Sequence, residues 1–259
     1  MALLNQAIDL LSKACLHAAR TSTLKCTLDL VNNNPDDERA EEIIAIARSF
    51  ATEDFVVKYI EAGVNGGYGA GNNISIRRHE DVDYHLVLNP DVLIQEDALT
   101  YALAYMESNP NVGLLTPQVK GLDGIVHHLC KRNPTLFDMF IRSVPLPWLN
   151  HLFRGRNFKY TMLDRDYQNV IKPVPYPTGC FMLFRRSVLA HIGGFDEGYF
   201  LHYEDADIGR SISRESQTAY VPTVVIFHKW SRDTHKSWYM RWVTIKSGLR
   251  YWHKWGGLF

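Results

Sequence analysis

The chain has 259 residues, of which 46% are hydrophobic and 22% are charged, enough for one substantial core in one large domain or one and a half. Its four cysteines lie far apart with no C-x-x-C pair, which argues against a zinc knuckle or a disulfide framework and suits a reducing cytosol. No apolar run approaches the ~20 residues of a membrane span, and no signal-peptide pattern opens the chain, so we expect a cytoplasmic protein.

The first half of the chain alternates helical and extended patterns. Helices are predicted over 3–19, 37–50 and 95–109, and strands over 24–31, 56–60 and 84–94, with a glycine-rich loop, GVNGGYGAGNN, before the last strand. This alternation predicts an α/β fold with a mostly parallel sheet covered by helices on both faces. Such sheets bind ligands at the carboxyl ends of their strands.

The second half of the chain is less regular. Strands are predicted in VGLLTPQV, IVHHLC, CFMLFRR and TAYVPTVVIFH, with a proline-punctuated stretch between residues 134 and 177. From these patterns and the resemblance described below, we expect one domain over 1–234, with a donor-binding half at 1–110 and an acceptor half at 111–234. A C-terminal helix is expected over 235–259.

The C-terminal segment is basic and rich in tryptophan, although the net charge of the whole chain is zero. From His228 onward it has seven Lys or Arg against one acid, a net charge of +6, and five of the six tryptophans. Apolar residues recur on one helical stripe at 238, 242, 245, 249 and 252, with basic residues on its flanks and back (Lys236, Lys246, Arg250 and Lys254). This is typical of a helix in a membrane interface, so an anionic membrane surface is an expected partner. The alternative is that the stripe packs onto the domain's own core.

The glycine-rich stretch NGGYGAGNN (65–73) allows a backbone to approach a ligand closely. It fails the dinucleotide-binding fingerprint, because Gly67 and Gly69 fit but Asn72 stands where the next glycine is required. A tight turn, with Asn72 or Asn73 capping a helix, is the alternative interpretation.

Two polar side chains follow predicted buried strands. LNPD ends one strand with Asn89 and Asp91, and IFHKW ends another with His228. Strand ends meet at one edge of a parallel sheet, so Asp91 and His228 are candidate ligands of a hard divalent cation, with Asn89 beside them. An ordinary Asn-Pro-Asp turn and a structural histidine are the alternatives.

The acids of YFLHYEDADIGR (199–210) begin a predicted helix. Carboxylates at a helix N-terminus are stabilised by the free backbone N–H groups and the macrodipole, which alone would explain them. If the helix opens inside a cleft, Asp205 is a candidate general base. Glu204 and Asp207 would then point toward a substrate hydroxyl or toward Arg210.

In this order, four stretches together resemble the inverting family 2 of glycosyltransferases, which has the GT-A fold, and especially its rhamnosyltransferase-like members that build bacterial surface polysaccharides. The matching text is NGGYGAGNN, YHLVLNPDV, PTGCFMLFRRSVLAHIGGFDEGYFLHYEDADIGR and IFHKWSR. The similarity covers roughly residues 24–250 and is strongest through GGFDE and YEDADIGR.

The resemblance implies roles for particular residues. It implies that Asp91 binds Mg²⁺ or Mn²⁺, with His228 completing the shell and Asn89 as a weak ligand, and that Asp205 deprotonates the acceptor hydroxyl. It implies donor contacts from the 65–73 stretch and the first strand end (Asn32, Asn33, Asn65, Gly67, Gly71 and Asn72). Acceptor contacts are expected from Glu204, Asp196 and Trp230.

The sequence departs from the family pattern near its start. Family members have a central strand ahead of the first helix, which is absent here, and Asn32 replaces an expected aspartate. Each buried Val, Leu or Ile of such a strand is worth ~1.5–3 kcal/mol, so its loss should be costly. Either the start is truncated or neighbouring strands close the gap.

The expected function is therefore inverting, metal-dependent transfer of a sugar to a saccharide or polyprenyl-diphosphate-linked acceptor. The best guess for the donor is dTDP-rhamnose, and no nucleic acid partner is expected. A truncated or degenerate module that binds sugar or a partner chain without catalysis is the alternative. A metal-dependent hydrolase or nucleotidyltransferase is a third, and the lack of a second carboxylate cluster counts against it.

Overall fold

The computed structural model describes residues 1–21, 23–143, 147–228 and 238–257. Its first half contains the expected alternation of helices and strands: α1 (Ala2–Ala19), β1 (Cys26–Asn32), α2 (Ala40–Phe50), β2 (Phe55–Glu61), α3 (Tyr68–Arg78), β3 (Tyr84–Leu88), β4 (Val92–Ile94) and α4 (Ala98–Ser108). Two details differ from the prediction. Helix α3 begins at Tyr68, inside the stretch predicted as a loop. The strand predicted over 84–94 is two strands, because the chain turns at Asn89 and Val92 N–H donates back to the Asn89 carbonyl at 3.1 Å.

The second half contains four strands and six helices among the described residues: β5 (Val112–Lys120), β6 (Val126–His127), α5 (Leu136–Ser143), α6 (Pro147–Leu152), α7 (Arg154–Tyr160), β7 (Phe181–Arg185), α8 (Arg186–Ile192), α9 (Glu204–Glu215), β8 (Gln217–His228) and α10 (Trp238–Trp255). Helices α5 to α7 lie in the proline-punctuated stretch and were not predicted. Proline does not prevent them, because Pro147 is the first residue of α6, where a missing N–H costs nothing.

The strands form two separate sheets. β1 and β2 pair with each other in parallel. The other sheet has the order β3–β7–β5–β8–β4, with β6 on the far part of β5. In it only β5 and β8 are parallel, and the remaining pairs are antiparallel. The α/β architecture with flanking helices is confirmed, but the sheet is mixed rather than mostly parallel, because β4, β6 and β7 return along their neighbours.

A cavity of about 1000 Å³ separates β1 from β3. The two strands end at the same edge, since the start of α3 contacts both: Asn33 donates to the Gly67 carbonyl, and Tyr68 contacts Asn89. Leucines from α1, β1, β3 and α4 line much of the cavity (Leu4, Leu11, Leu28, Leu30, Leu86, Leu99 and Leu103). The expectation that neighbouring strands close the gap is therefore wrong for the residues that the structure describes.

The main core adjoins this cavity, where α1 and α4 pack against the six-stranded sheet. Its most buried members include Ile94, Met106, Leu115, Phe181 and Ile226, each at most 1% exposed. Strand β5 is buried along most of its length, whereas the residues of β1 are mostly half-buried. The six-stranded sheet is thus the rigid part of the fold, and it positions the site residues described next.

Candidate active site

Asp91 and His228 meet at one edge of the six-stranded sheet. His228 Nε2 lies 3.2 Å from Asp91 Oδ1, and the two side chains are 13% and 38% exposed. The contact arises because β4 runs antiparallel to β8 with Val92 opposite His228, so the residue before β4 lies beside the end of β8. Burial opposes ionisation of Asp91, but the hydrogen bond and charge of His228 hold the pKa of this carboxyl below its usual range.

The segment Gly179–Cys180, which precedes β7, lies between the Asp91–His228 pair and the start of α9. The Asn89 N–H donates to the Cys180 carbonyl at 3.0 Å, and Tyr68 Oη donates to the Gly179 carbonyl at 2.6 Å. The pKa of the Cys180 thiol is raised to about 12 by burial and by the charges of Asp91 and Asp205. Because Asn89 bonds to Cys180 and a Cβ on Gly179 would contact Asp205, the Gly179–Cys180 segment lies near both Asp205 and the Asp91–His228 pair, and we call this region the cleft.

Asp205 is the second residue of α9 and follows an unusual backbone turn. His202 and Tyr203 both have positive φ, +69° and +68°, an arrangement that costs free energy in residues with a Cβ. Asp205 Oδ1 accepts a hydrogen bond from the Ala206 N–H at 3.0 Å. Because Asp205 is held at a strained turn at the N-terminus of α9, its position is fixed by the backbone rather than by a flexible loop.

The neighbours of Asp205 adjust its acidity in opposite directions. Burial raises the pKa of this carboxyl, whereas the charge of Lys131 and a hydrogen bond from Tyr176 oppose that rise. Lys131 Nζ lies 4.5 Å from the centre of the Tyr176 ring, and a Cβ at Gly179 would contact the Asp205 side chain. A carboxylate in this setting binds a proton more readily than an exposed one, as a general base requires.

Glu204 lies beside Asp205 and is only 6% exposed. Burial and the charge of Asp205 raise its pKa to about 8. Its Oε2 atom has no hydrogen-bond partner within the described part of the chain. Burial and the charge of Asp205 therefore favour the protonated form of Glu204, whose side chain is available to a polar group that enters the cleft.

Four of the six predicted donor-side residues line the polar end of the cavity: Asn32, Asn33, Gly71 and Asn72. Asn32 Nδ2 donates to Tyr59 Oη at 3.0 Å, and the Oδ1 atom of Asn33 is buried without a partner among the described residues. Asn89 and Tyr68 line the same end. These amide groups lie together at one end of a cavity whose lining also includes the leucines named above and charged residues such as Asp29 and Arg39.

The other two predicted donor residues have structural contacts. Asn65 Oδ1 accepts from the Gly67 N–H at 3.1 Å, and Gly67 has φ +93°. A Cβ at Gly67 would collide with the Phe200 carbonyl, which also accepts the Tyr68 N–H at 2.9 Å. Gly67 is therefore needed so that the start of α3 can pack against the loop that leads to Asp205. Asn65 and Gly67 do not line the cavity.

The acidic residues farther from the cleft bind α10. Asp196 accepts from Arg250 at 2.6 Å and from Lys254 at 3.1 Å. Asp207 accepts from Lys254 at 2.8 Å and from Trp255 Nε1 at 2.6 Å. The prediction that Asp207 faces a substrate hydroxyl or Arg210 is therefore wrong. An acceptor contact for Asp196 remains a prediction, and Trp230 lies outside the described residues.

A divalent cation fits the Asp91–His228 pair by its donor chemistry. One carboxylate oxygen and one imidazole nitrogen are adjacent and partly exposed, a combination that Mn²⁺ accepts more readily than Mg²⁺ does. Among the described residues, no group of three or more His, Cys, Asp or Glu side chains forms a closed metal site. The remaining ligands would have to be substrate oxygens and water.

Several residues of the cleft escaped sequence analysis. Lys131, Tyr176, Gly179 and the specific contacts of Tyr68 depend on the tertiary fold. The texts PTGC and NGGYGAGNN were the available signals for Gly179 and Tyr68, and no local pattern marks Lys131 or Tyr176.

A protein-family model described as "Glycosyltransferase like family 2" matches residues 16–250 of this chain. Among curated proteins, the chain is 29% identical to the rhamnosyltransferase WbbL of Escherichia coli K12, over 86% of this chain and 85% of that protein. It is 28% identical to N-acetylglucosaminyl-diphospho-decaprenol L-rhamnosyltransferase of Mycobacterium tuberculosis H37Rv, over 69% of this chain. The chain spans only 60% of that mycobacterial protein.

Solved structures resemble the fold at low sequence identity. GalNAc-T7 with UDP, GalNAc and Mn²⁺ matches 91% of this chain and 43% of its own, with a TM-score of 0.61 and 14% identity. Residues 1–349 of TarS from S. aureus match 87% of this chain and 56% of their own, with a TM-score of 0.56 and 14% identity. The mannosyltransferase PcManGT from Pyrobaculum calidifontis, with GDP-Man and Mn²⁺, matches 97% and 75%, with a TM-score of 0.53 and 15% identity.

Proposed function

Because the chain belongs to glycosyltransferase-like family 2 and has the GT-A fold, we propose that it transfers a sugar with inversion from a nucleoside diphosphate sugar to an acceptor hydroxyl. The observation that supports this proposal is that the Asp91–His228 pair and Asp205 both lie near the Gly179–Cys180 segment. Sugar transfer needs a base near the acceptor hydroxyl and a group that stabilises charge on the departing diphosphate. Asp205 is the candidate for the first role, and the Asp91–His228 pair with a bound cation is the candidate for the second.

Asp205 is the proposed general base. It takes the proton of the acceptor hydroxyl while that oxygen forms a bond to the anomeric carbon, and the bond from this carbon to the diphosphate oxygen breaks. Burial raises the pKa of Asp205, which favours proton uptake. Because burial and the charge of Asp205 raise the pKa of Glu204, its protonated form is favoured, and this form can donate a hydrogen bond to an acceptor oxygen beside it.

Asp91 and His228 would hold Mg²⁺ or Mn²⁺, as their donor atoms allow. When bound, the ion stabilises negative charge on the departing nucleoside diphosphate. Asn89 is oriented by its backbone bond to Cys180 and by Tyr68, and it would contact the same phosphates directly or through water. The amides of Asn32, Asn33 and Asn72 lie on the cavity rim, where the nucleotide is proposed to bind.

L-Rhamnose from dTDP-rhamnose is the proposed sugar, and a polyprenyl-diphosphate-linked saccharide is the proposed acceptor. The names of two relatives support this proposal. Both the E. coli and the mycobacterial protein are named as rhamnosyltransferases, and the name of the mycobacterial one includes an N-acetylglucosaminyl-diphospho-decaprenol. Transfer to such an acceptor would belong to the synthesis of a bacterial surface polysaccharide. A cytoplasmic location is proposed because the four cysteines are free thiols.

A non-catalytic sugar-binding module is the second candidate, and the cavity between β1 and β3 favours it. A nucleotide pocket built on β1 lacks a sheet neighbour on one side, which would weaken donor binding. The ordered Asp91–His228 pair and the strained turn before Asp205 favour catalysis instead, because a binding module needs neither.

The deciding experiment is calorimetric titration with dTDP, UDP and GDP, with and without Mn²⁺, on the wild type and on Asp91→Ala. We expect one nucleotide to bind only with Mn²⁺, and Asp91→Ala to abolish this binding. Glu96→Ala is the matched control, because Glu96 is an exposed carboxylate five residues away. If a folded wild-type protein binds none of the three nucleotides, the non-catalytic module becomes the better interpretation.

A further inference from the structure

Helix α10 has a buried face that fixes it to the rest of the domain. Val243, Ser247, Gly248 and Tyr251 are buried along this face. Ser247 Oγ donates to the Leu201 carbonyl at 2.9 Å, in the loop that leads to Asp205. The ion pairs to Asp196 and Asp207 described above add to this attachment, so the orientation of α10 about its axis is set by named contacts.

The opposite face of α10 is apolar and exposed to solvent. Trp238 is 83% exposed, Trp242 58%, Ile245 56% and Leu249 52%. Spacings of four, three and four residues place these side chains on one stripe, about half a turn from the buried face. We call these four residues the outer stripe. Of the two alternatives raised by the sequence, packing of the stripe onto the domain core is wrong for all four, and only Trp252 is partly buried.

Positive charge borders the outer stripe. Arg241 lies over the Trp238 ring at 5.1 Å and Lys246 over the Trp242 ring at 5.4 Å, and both cations are exposed. At 100° per residue, Arg241 falls on one side of the stripe and Lys246 on the other. An ordinary surface helix exposes its polar residues and buries its apolar ones, whereas here the apolar residues face outward between two cations.

We infer that the outer stripe is a docking surface for an anionic lipid bilayer, with α10 lying flat in the headgroup region. Tryptophan favours this region because its ring is apolar and its N–H remains hydrogen-bonded. Arg241 and Lys246 complement negative headgroups at the depth of the stripe. Among the described residues no helix is long and apolar enough to cross a membrane, so the attachment is to the surface.

The position of α10 determines which side of the domain would face the bilayer. α10 holds Asp207 of α9 through Lys254 and Trp255, and Asp205 lies two residues earlier on the same helix. A bilayer bound to the outer stripe would therefore lie on the side of the domain that carries α9, and a lipid-linked acceptor could reach the cleft without leaving the membrane. The docking itself does not rest on the proposed catalysis.

The test is co-sedimentation of the full chain with vesicles, which needs no activity. One set contains about one third phosphatidylglycerol in phosphatidylcholine, and the other contains phosphatidylcholine alone. We expect binding to the anionic set that weakens between about 0.1 M and about 0.5 M NaCl. Quenching of tryptophan fluorescence by brominated lipid should accompany binding.

Two variants separate the apolar and ionic contributions. Ile245→Ser with Leu249→Ser should weaken vesicle binding by about 10-fold or more. Arg241→Gln with Lys246→Gln should weaken it by about 5-fold per cation, and only on anionic vesicles. The matched control is Leu122→Ser with Ile125→Ser, which changes two residues that are 58% and 62% exposed on the β5–β6 turn. All of these positions are exposed, so the melting temperature should not change.

Three outcomes would overturn the inference. The first is a folded wild type that does not sediment with anionic vesicles. The second is equal binding by the wild type and the stripe variant. The third is dimerisation without lipid, seen by sedimentation velocity and lost in the stripe variant, which would assign the outer stripe to a second copy of the chain.

Discussion

The two sides of the cleft are held in different ways. Asp91 and His228 are positioned by the pairing of β4 with β8, and Asp205 lies in the first turn of α9, where its side chain accepts a hydrogen bond from the Ala206 N–H. Asn32 and Asn33 rest on β1, which pairs only with β2 and has a cavity of about 1000 Å³ along its other edge. The comparison teaches that the side with Asp91, His228 and Asp205, which we call the sheet side, is built on the larger sheet, whereas the proposed donor side rests on a two-stranded sheet beside a cavity.

The largest expected effect is a loss of kcat on the sheet side of the cleft. Asp205→Asn should lower kcat by about 10²–10⁴-fold, the usual contribution of a general base. Its melting temperature should not fall, because burial raises the pKa of Asp205 and the ionised carboxyl is therefore unfavourable in the fold. Asp207→Asn is the matched control: it should lower the melting temperature by releasing Lys254 and Trp255, with a much smaller loss of kcat. Comparable kcat losses in both variants would count against the assigned base.

The next effect is on the β3 edge of the cavity. Burial lowers the pKa of His85 to about 4, from 6.5, with help from the charges of His79 and Arg186. His85 therefore binds a proton below pH ~6.5 in the unfolded chain but only below pH ~4 in the folded chain. The free energy of unfolding falls by about 3 kcal/mol as the pH drops through this window.

His85→Gln should remove that loss. Urea unfolding near neutral pH and near pH ~4.5 measures it, and the wild type should lose more stability than the variant. Equal losses in the two proteins would show that His85 is protonated in the folded state.

A pair of substitutions on α1 compares the cavity with the packed core. Ala7 lines the cavity, whereas Ala14 is fully buried in the main core. Ala14→Leu should cost about 1–3 kcal/mol by overpacking. Ala7→Leu should be neutral or stabilising, because the added carbons have space to occupy. Thermal unfolding of both variants is the measurement, and equal destabilisation would mean that the cavity cannot accept a side chain.

The smallest effect sharpens the assignment of the base. Lys131 opposes the raised pKa of Asp205, so Lys131→Met should move the acid limb of the pH–rate profile to higher pH. The rate at high pH, where Asp205 is ionised in both proteins, should change little. Lys159→Met, at an exposed site, should leave the profile in place.

Sequence analysis located the residues of the sheet side of the cleft more reliably than those of the donor side. Asp91 and His228 were paired correctly because both lie at strand ends, although the contact comes from the antiparallel β4–β8 pair and not from a parallel edge. Gly71 and Asn72 were assigned to a loop but lie within α3. The glycines were interpreted as allowing close approach to a ligand, but a Cβ at Gly69 would meet Phe195 and one at Gly71 would meet Asn33, so both glycines also allow α3 to pack closely against its neighbours.

Other features depended on the tertiary structure. Lys131 and Tyr176 are far apart in sequence and are brought together near Asp205 by an isolated antiparallel bridge that no local pattern predicts. The exposure of the outer stripe could not be inferred from periodicity, because an amphipathic pattern does not say which partner covers its apolar face. That required the buried contacts of Tyr251 and Ser247.

The separation of the two sheets also affects how the molecule opens. No backbone ladder joins β1 to β3 in the described residues, so β1, β2 and α2 can detach without breaking a hydrogen bond of the six-stranded sheet. They should form a separate cooperative unit, with amide protons that exchange faster than those of β5 and β8. A nucleotide bound at Asn32 and Asn33 would slow this exchange selectively, so donor binding would be coupled to the local folding of this unit.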